Sequence, residues 1–361
     1  MCLKNEKCSP LISVVMTLFR HDDSLSLAIE SVLAQTFQNF EIVLVDNNSS
    51  DKCKEIANLY LHRYPDRIRI VKESTQGIAS SRNRGILESH GEYIAFLDTD
   101  DLMSPPRLEK QLKVCLENPE YSIITSLFDY LSYDGMRTEE SNCAPTPQFW
   151  ETLLFGHSEE FKIHKRYIPH PSTMFFKKSI AVNIGLFDTR FNPYWCEDGE
   201  FSLRMYEKGP FFLINESLTK IRLGTAESLK KRQKSDIDWV SLENYDKLYK
   251  ILLNRYFNPN DRKIKKGFRK ISARWLREKS VLLLQNGQGL SFGRRFLIRS
   301  LLVDPWNLKT WKNLVRAFMP RELHPKLFHF ERIVVNSLPD FINKDFVENA
   351  FLYKKDSCKG F

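Results

Sequence analysis

The chain has 361 residues, with 54 Lys and Arg against 45 Asp and Glu and a formal net charge of +9. That length has room for two domains, and no apolar run approaches the roughly 20 residues that a bilayer-crossing helix needs. Residues 1–7 lack the apolar core of a secretory leader, and the seven Cys, an odd number with no C-x-x-C pair, argue against a disulfide framework or a zinc site and fit a reducing compartment. The expectation is a cytoplasmic protein, soluble or peripheral.

In chain order, Leu11 to Met16 predicts a buried strand ending at Thr17-Leu18-Phe19-Arg20. Asp22 and Ser24 are candidate caps for a helix to about residue 35, with Leu25, Ala28, Ile29, Val32 and Leu33 at helical spacing. A second strand over 41–45 runs into Asp46-Asn47-Asn48-Ser49-Ser50-Asp51, a helix follows over 51–63, and a third strand covers 67–71. Gly77 opens a helix to about Ser89, and 92–97 is the next strand. Such alternation predicts parallel βαβ units in a sheet covered on both faces, with ligands outside the carboxyl ends of the strands. Polar residues gather there: Thr17, Asp46 and Asp98.

The densest of these clusters is Asp98-Thr99-Asp100-Asp101, directly after the apolar run from Tyr93 to Leu97. Like charges so close disfavour one another unless a cation sits among them. One reading is therefore a divalent metal shared by Asp98 and Asp100; the other is a solvated acidic turn ahead of a helix that starts near Ser104-Pro105. No G-x-x-x-x-G-K-[ST] occurs, the glycines at 287, 289 and 293 miss the dinucleotide spacing, and position six of an EF-hand loop begun at Asp98 would be Met103 rather than Gly.

Farther on, a helix is expected over 104–118, buried through Leu108, Leu112, Val114 and Cys115, then strands over 121–133 and 172–176. Asp198 opens a helix with Phe201, Leu203 and Met205 on its apolar side, and 211–214 and 218–222 are the last two strands.

Four ordered segments resemble family 2 of the inverting glycosyltransferases, which have the GT-A fold. They are Ser13–Thr17 with Ile29–Phe37; Val45–Asp51; Gly77–Gly85 leading into Phe96–Asp101; and Gly185-Leu186-Phe187-Asp188 with Glu197-Asp198. The resemblance covers about residues 11–225. It implies an α/β GT-A catalytic domain over 1–225 that moves a sugar from a nucleotide-diphosphate sugar to an acceptor hydroxyl, with Mg²⁺ or Mn²⁺ as cofactor. It implies Asp100 as metal ligand, Asp98 near both the ribose and the metal, and Thr17, Phe19 and Asp46 in the nucleotide pocket. It also implies Asp198 as the general base that frees the acceptor oxygen, with Glu197 as the alternate. Arg82 would reach the diphosphate or close the pocket. Each residue also has a plainer reading: a helix cap for Asp198, a turn closed by Asp46, a solvated helix face for Arg82.

Three departures from the pattern stand out. Asn47 replaces a second Asp, Phe19 replaces Tyr, and Gly224 stands where relatives carry a metal-site His, with no other His close in sequence; His164 and His170 read as loop or acceptor-site residues. Two other classes remain, a metal-dependent nucleotidyltransferase and a non-catalytic scaffold that binds sugar nucleotides.

Residues 226–361 carry 29 Lys and Arg against 14 Asp and Glu, a net of +15, whereas 1–225 carry a net of −6. The segment predicts a mostly helical, basic C-terminal extension, with one helix hairpin over 288–318 built on Phe296, Leu297, Leu301, Leu302 and Trp311. The basic run from Lys263 to Arg277 reads as a solvated face or as attachment to an anionic membrane at its inner surface. No nucleic-acid motif accompanies it. The acceptor the family implies is a glycan or a lipid-linked glycan, in assembly of surface polysaccharide, capsule or lipopolysaccharide.

Overall fold

The computed structural model describes residues 9–18, 24–131, 138–139, 169–193, 196–222 and scattered residues between 244 and 313. The chain groups into two compact units, Met1–Ile271 and Ser272–Phe361. The division expected after residue 225 falls within 223–243, outside the described residues.

In the first unit, β1 (Ile12–Leu18), β2 (Phe40–Asp46), β3 (Ile68–Lys72) and β4 (Tyr93–Phe96) are linked by α1 (Leu25–Leu33), α2 (Asp51–Arg63) and α3 (Ile78–Glu88). All seven residues of β1 and all four of β4 are buried, as strands covered on both faces must be. These four strands are parallel, in the order β3-β2-β1-β4.

Beyond β4 the pattern changes. β5 (Leu102–Met103), α4 (Arg107–Glu117), β6 (Ile123–Leu131) and β7 (Thr138–Glu139) come next. They are followed by β8 (Phe175–Lys177), α5 (Lys178–Asn183), α6 (Glu197–Tyr206) and β9 (Phe211–Arg222). β8 pairs antiparallel with both β4 and β6, β9 is parallel to β6, and β5 is antiparallel to β9. The sheet is thus parallel in its first half and mixed in its second. The two expected final strands are one, β9, whose register slips where exposed Asn215 and Glu216 bulge out between the partners of Ser126 and Leu127.

The period-two alternation of the strands divides the core. Ile12, Val14 and Met16 pack with Ile29, Ala57 and Leu108 on one side, under α1, α2 and α4. Val15, Val43 and Phe96 pack with Ala79, Ile86, Phe201 and Met205 on the other, under α3 and α6. Ser50 caps α2 by accepting from Cys53 N. Ser24 does not cap α1; its hydroxyl donates to Thr99 O at 3.0 Å and so ties the first helix to the acidic loop. α4 likewise starts at Arg107 without a side-chain cap, so Ser104 is not its cap. Asp22 lies outside the described residues.

In the second unit, α7 (Leu290–Val303) buries Leu297 and Leu301, while Leu302 is 78% exposed, facing away from the hairpin contact expected of it. Of the basic run, Arg277 is buried, which does not fit a solvated or lipid-facing position; Lys263, Lys265, Lys266, Arg269, Lys270 and Arg274 lie outside the described residues. Among the described residues no helix is long and apolar enough to cross a membrane.

Candidate active site

The carboxyl ends of β1, β2 and β4 stand side by side, since Leu18 pairs with Asp46 and Val15 with Phe96. Thr17 is largely buried one residue from the end of β1. Phe19 lies outside the described residues. Asp46 Oδ1 accepts from Ser49 N at 3.0 Å and from Ser49 Oγ at 2.6 Å, so Asp46 closes a turn as well as facing the strand ends.

Asn47 is not a pocket group. It is buried and bonded on both sides: Nδ2 donates to Glu73 O and Thr75 O, and Oδ1 accepts from Gly77 N at 2.8 Å. These bonds fix the entry to α3. Gly77 sits there at φ 141°, and a Cβ on it would lie 2.1 Å from Asn192 Oδ1.

Past β4, Asp101 N donates to Asp98 O at 3.1 Å, folding the acidic run into a tight turn. Beneath it lies Arg107, fully buried, which donates through Nη2 to Phe96 O and Met174 O and through Nε to Gln111 Oε1. Burial pulls its pKa down to about 9. Arg222, the last residue of β9, holds the turn from the other side: its N–H donates to Asp101 Oδ1 and its Nε to Asp100 O, both at 2.9 Å. Asp101 is 2% exposed, and its Oδ2 has no partner. Burial, followed by the charges of Asp100 and Asp98, holds this carboxyl well above the usual range.

One residue reaches this turn that the sequence reading assigned elsewhere. His170 lies with Asp98 and Asp101 so that one ligand atom from each falls within 4.8 Å of the others. The expectation that no histidine accompanies the acidic cluster is therefore wrong in space. Its cause is the antiparallel β4–β8 pair: with Ala95 opposite Phe175, the register carries Phe96 N to Met174 O and Asp98 N to Ser172 Oγ. His170 then stands level with the end of the acidic run. Desolvation lowers its pKa, against the pull of Asp98 and Asp198, and favours the neutral ring. Asp100, paired with Asp98 in the sequence reading, is not in this group. Two carboxylates, one of them with an orphaned buried oxygen, and a neutral imidazole form a donor set that fits a divalent cation.

The second half of the site is the start of α6. Cys196 precedes it at φ 72°, a left-handed conformation uncommon for a residue other than glycine, and two acidic residues follow at the helix N-terminus. Asp198 is not the helix cap, since the cap position is Cys196; its Oδ1 accepts from Gly199 N at 2.7 Å, and the residue is only partly buried. Glu197 is buried, with Oε1 2.9 Å from Arg82 Nη1 and Oε2 without a partner. Burial and then the Asp198 charge raise its pKa to about 7, outweighing Arg82.

Arg82 is 4% exposed, so the solvated-face reading is wrong. Its guanidinium stacks near Phe96 and Phe187, and its Nη2 is 3.5 Å from Asp98 Oδ1. One buried arginine thus joins the strand-end loop to the acidic pair of α6.

These are the positions at which a family assignment carries meaning. Residues 13–184 match the sequence profile of glycosyl transferase family 2. That stretch of the chain belongs to the family. The chain is 35% identical over 132 residues to EpsE of Bacillus subtilis, a protein named as a glycosyltransferase, covering 36% of this chain and 48% of EpsE. It is 30% identical over 236 residues to the minor teichoic acid biosynthesis protein GgaB of the same organism, covering 63% of this chain and 25% of GgaB. The chain therefore spans half or less of the length of these two curated relatives. In fold it is similar to residues 1–349 of S. aureus TarS in complex with UDP, with TM-score 0.54 at 16% identity over 89% of this chain and 87% of that one. The same TarS fragment in complex with UDP-GlcNAc gives TM-score 0.51 over 85% and 79% of the two chains. The family 2 domain has the GT-A α/β fold expected from the sequence.

Proposed function

We propose that the chain transfers a sugar, with inversion, from a uridine-diphosphate sugar to an acceptor hydroxyl on a growing surface glycan. The observation that carries this reading is the buried Arg82, which contacts Glu197 on one side and Asp98 on the other. It holds together the two groups of residues that such a reaction needs in register: one for the leaving diphosphate, one for the incoming hydroxyl. The match to family 2 and the likeness to a fold that holds UDP and UDP-GlcNAc in TarS support the class of donor.

Within this reading Asp198 accepts the acceptor's proton. It is the more exposed of the two carboxylates, whereas Glu197 is buried against Arg82 and serves to position it. Thr17 and Asp46 border the nucleotide, and Phe19 offers it a stacking face. Asp98 and Asp100 of the D-x-D, with Asp101 and His170 beside them, would hold Mg²⁺ or Mn²⁺, which would supply charge stabilisation to a leaving diphosphate. Arg82 adds a cation on the same side. Inversion needs one displacement and one base, so no enzyme nucleophile is required. Catalysis belongs to residues 1–225, and the +15 segment 226–361 attaches the chain at an anionic membrane where a lipid-linked acceptor resides.

The test is a panel of UDP- and GDP-sugars with MnCl₂, scored first by thermal shift and then by release of the nucleoside diphosphate. A bound ligand at about 100 times its Kd adds about 2.7 kcal/mol to stability, an easily read shift. Release of pyrophosphate instead would identify a nucleotidyltransferase, and binding without any turnover in the presence of glycan acceptors would identify a scaffold.

A further inference from the structure

The chain between α5 and α6 is a bridge held from two sides. It runs from Phe187 through the single 3₁₀ turn Thr189–Phe191 to Pro193, and Glu197 follows four residues later. One side is gripped by α3, the helix that carries Arg82. Asn83 exchanges two bonds with the Phe187 backbone, at 2.8 and 2.9 Å. Asn192 Nδ2 donates to Ser80 Oγ at 2.7 Å, and Ile78 N donates to Pro193 O at 3.0 Å.

The other side is gripped by a segment well past β9. The compact unit that contains the sheet continues to Ile271. Helical residues recur between 244 and 255, and Asn244, Leu248 and Leu252 are 0%, 4% and 2% exposed, so at this spacing they share one buried stripe. Asn244 Nδ2 donates to Phe191 O at 2.7 Å, and Lys247 Nζ donates to Arg190 O at 3.0 Å. These are the last two carbonyls of the 3₁₀ turn, which no further turn follows to bond. Phe191 is fully buried, so its carbonyl needs a partner from within the protein. Lys247 Nζ also donates to Asn244 Oδ1 at 3.0 Å, which fixes the end of the amide that faces Phe191. Farther along the same stripe Arg255 pairs with Glu207, directly after α6. One helical segment thus touches the chain on both flanks of the helix that carries Glu197 and Asp198.

We infer that Asn244 is a positioning residue for the proposed transfer: through Phe191 O it sets where the start of α6, and with it Asp198, stands against the strand-end loop. The inference rests on the proposed reaction, and the groups that meet substrate stay within residues 1–225. It adds the segment around 244–255, which lies outside the matched residues 13–184, to the parts that this reaction needs. A displacement of about 1 Å at a reacting group can cost about 100-fold in rate. A bond seven residues before Asp198 therefore bears on the chemical step, while the nucleotide side, built on the ends of β1, β2 and β4, keeps its place.

The experiment uses the full chain with MnCl₂, UDP and the nucleotide sugar found by the panel above. Asn244→Ala should lower kcat by about tenfold or more, with donor KM and UDP affinity kept within about twofold. Amide exchange over residues 187–206 should quicken while that of β1 and β2 does not. Asn244→Asp, of the same size but without the donor, should behave alike, and Asn244→Gln, which keeps the donor, should recover part of kcat. Should Asn244→Ala fail to fold, Lys247→Met decides by the same readouts with a smaller effect, since that side chain is only half-buried. An unchanged kcat overturns the inference, as does a loss spread equally over kcat, donor KM and UDP affinity, which a merely structural bond would give. If the wild type turns over no nucleotide sugar, the proposed reaction falls and exchange alone decides: faster exchange over 187–206 in Asn244→Ala upholds the hold on α6, and unchanged exchange overturns it.

Discussion

Arg82 Nη1 lies 2.9 Å from Glu197 Oε1 across 115 residues of sequence, and both side chains are buried. A buried pair of this kind contributes little net stability, because desolvating both charges offsets their attraction. Breaking it is another matter. Arg82→Ala leaves the buried Glu197 without its cation, and the expected loss is about 3–5 kcal/mol in urea unfolding. Arg82→Lys keeps the charge but not the fork that reaches both carboxylates, so it should recover part of the stability and little of the transfer rate. Equal unfolding midpoints for wild type and Arg82→Ala would mean the pair is not formed in solution.

Asp198→Asn preserves the oxygen that accepts from Gly199 N and removes the proton acceptor. Transfer should drop by about 10²-fold or more with donor affinity kept, the scale of a lost general base. Because Cys196 rather than Asp198 occupies the cap position, the melting temperature should hardly change. If Glu197→Gln is the dead variant and Asp198→Asn is not, the two roles are exchanged.

The raised pKa of Glu197, about 7, makes a pH prediction whose sign is opposite to that of an ordinary salt bridge. Between its unfolded value, near 4.5, and about 7 the folded protein holds the extra proton, so the stability that Glu197 contributes falls as pH rises through that window. The full change is on the order of 3 kcal/mol. Glu197→Gln removes it. Melting temperatures of the two proteins should therefore diverge from pH 5 to pH 8, in favour of the variant; a constant difference would place the proton elsewhere.

How much of this was legible in the sequence differs between the halves of the sheet. The parallel half was readable because short apolar runs alternated with helical periods and turn residues, and the ends of β1, β2 and β4 came out within a residue or two. Arg82 was readable in part: it lies three residues after Ala79 and four before Ile86, on the buried stripe of α3, yet its charge suggests a solvated face. His170 was not readable, because its place depends on an antiparallel pairing of β4 with a three-residue strand some 80 positions on, and nothing local encodes that register. Asp101 gave no sign of its burial, which goes with Arg222 of β9, 121 residues on, whose N–H donates to its Oδ1.

Asn47 supplies a further test. Asn47→Asp restores the acidic residue that the resembled pattern has there, but it replaces two donated bonds, to Glu73 O and Thr75 O, by carboxylate–carbonyl repulsion. The variant should lose about 2 kcal/mol or more, with nucleotide selectivity unaltered. A change of base preference in Asn47→Asp, at unchanged stability, would return this side chain to the pocket.

The basic extension predicts salt-sensitive attachment. Full-length protein should sediment with vesicles containing anionic lipid and not with neutral ones, since each basic residue near such a surface contributes about 1 kcal/mol. Raising salt shortens the Debye length, to about 3 Å at 1 M, and should release it. Equal binding to both vesicle types would reduce the +15 to a solvated surface.

The mixed sheet also sets an order of events as the chain is made. The four parallel strands come from a contiguous stretch ending at Phe96, and their contacts close short loops. Glu197, His170 and Arg222 come later, and joining them to Arg82 and the acidic turn closes much longer ones, which is entropically slower. While the chain is still being made, the emerging half-sheet holds an Arg82 that has no acidic partner yet on α6. Within the sheet the site is completed after the parallel half, and pulse-labelled hydrogen exchange should find β1 and β2 protected before α6.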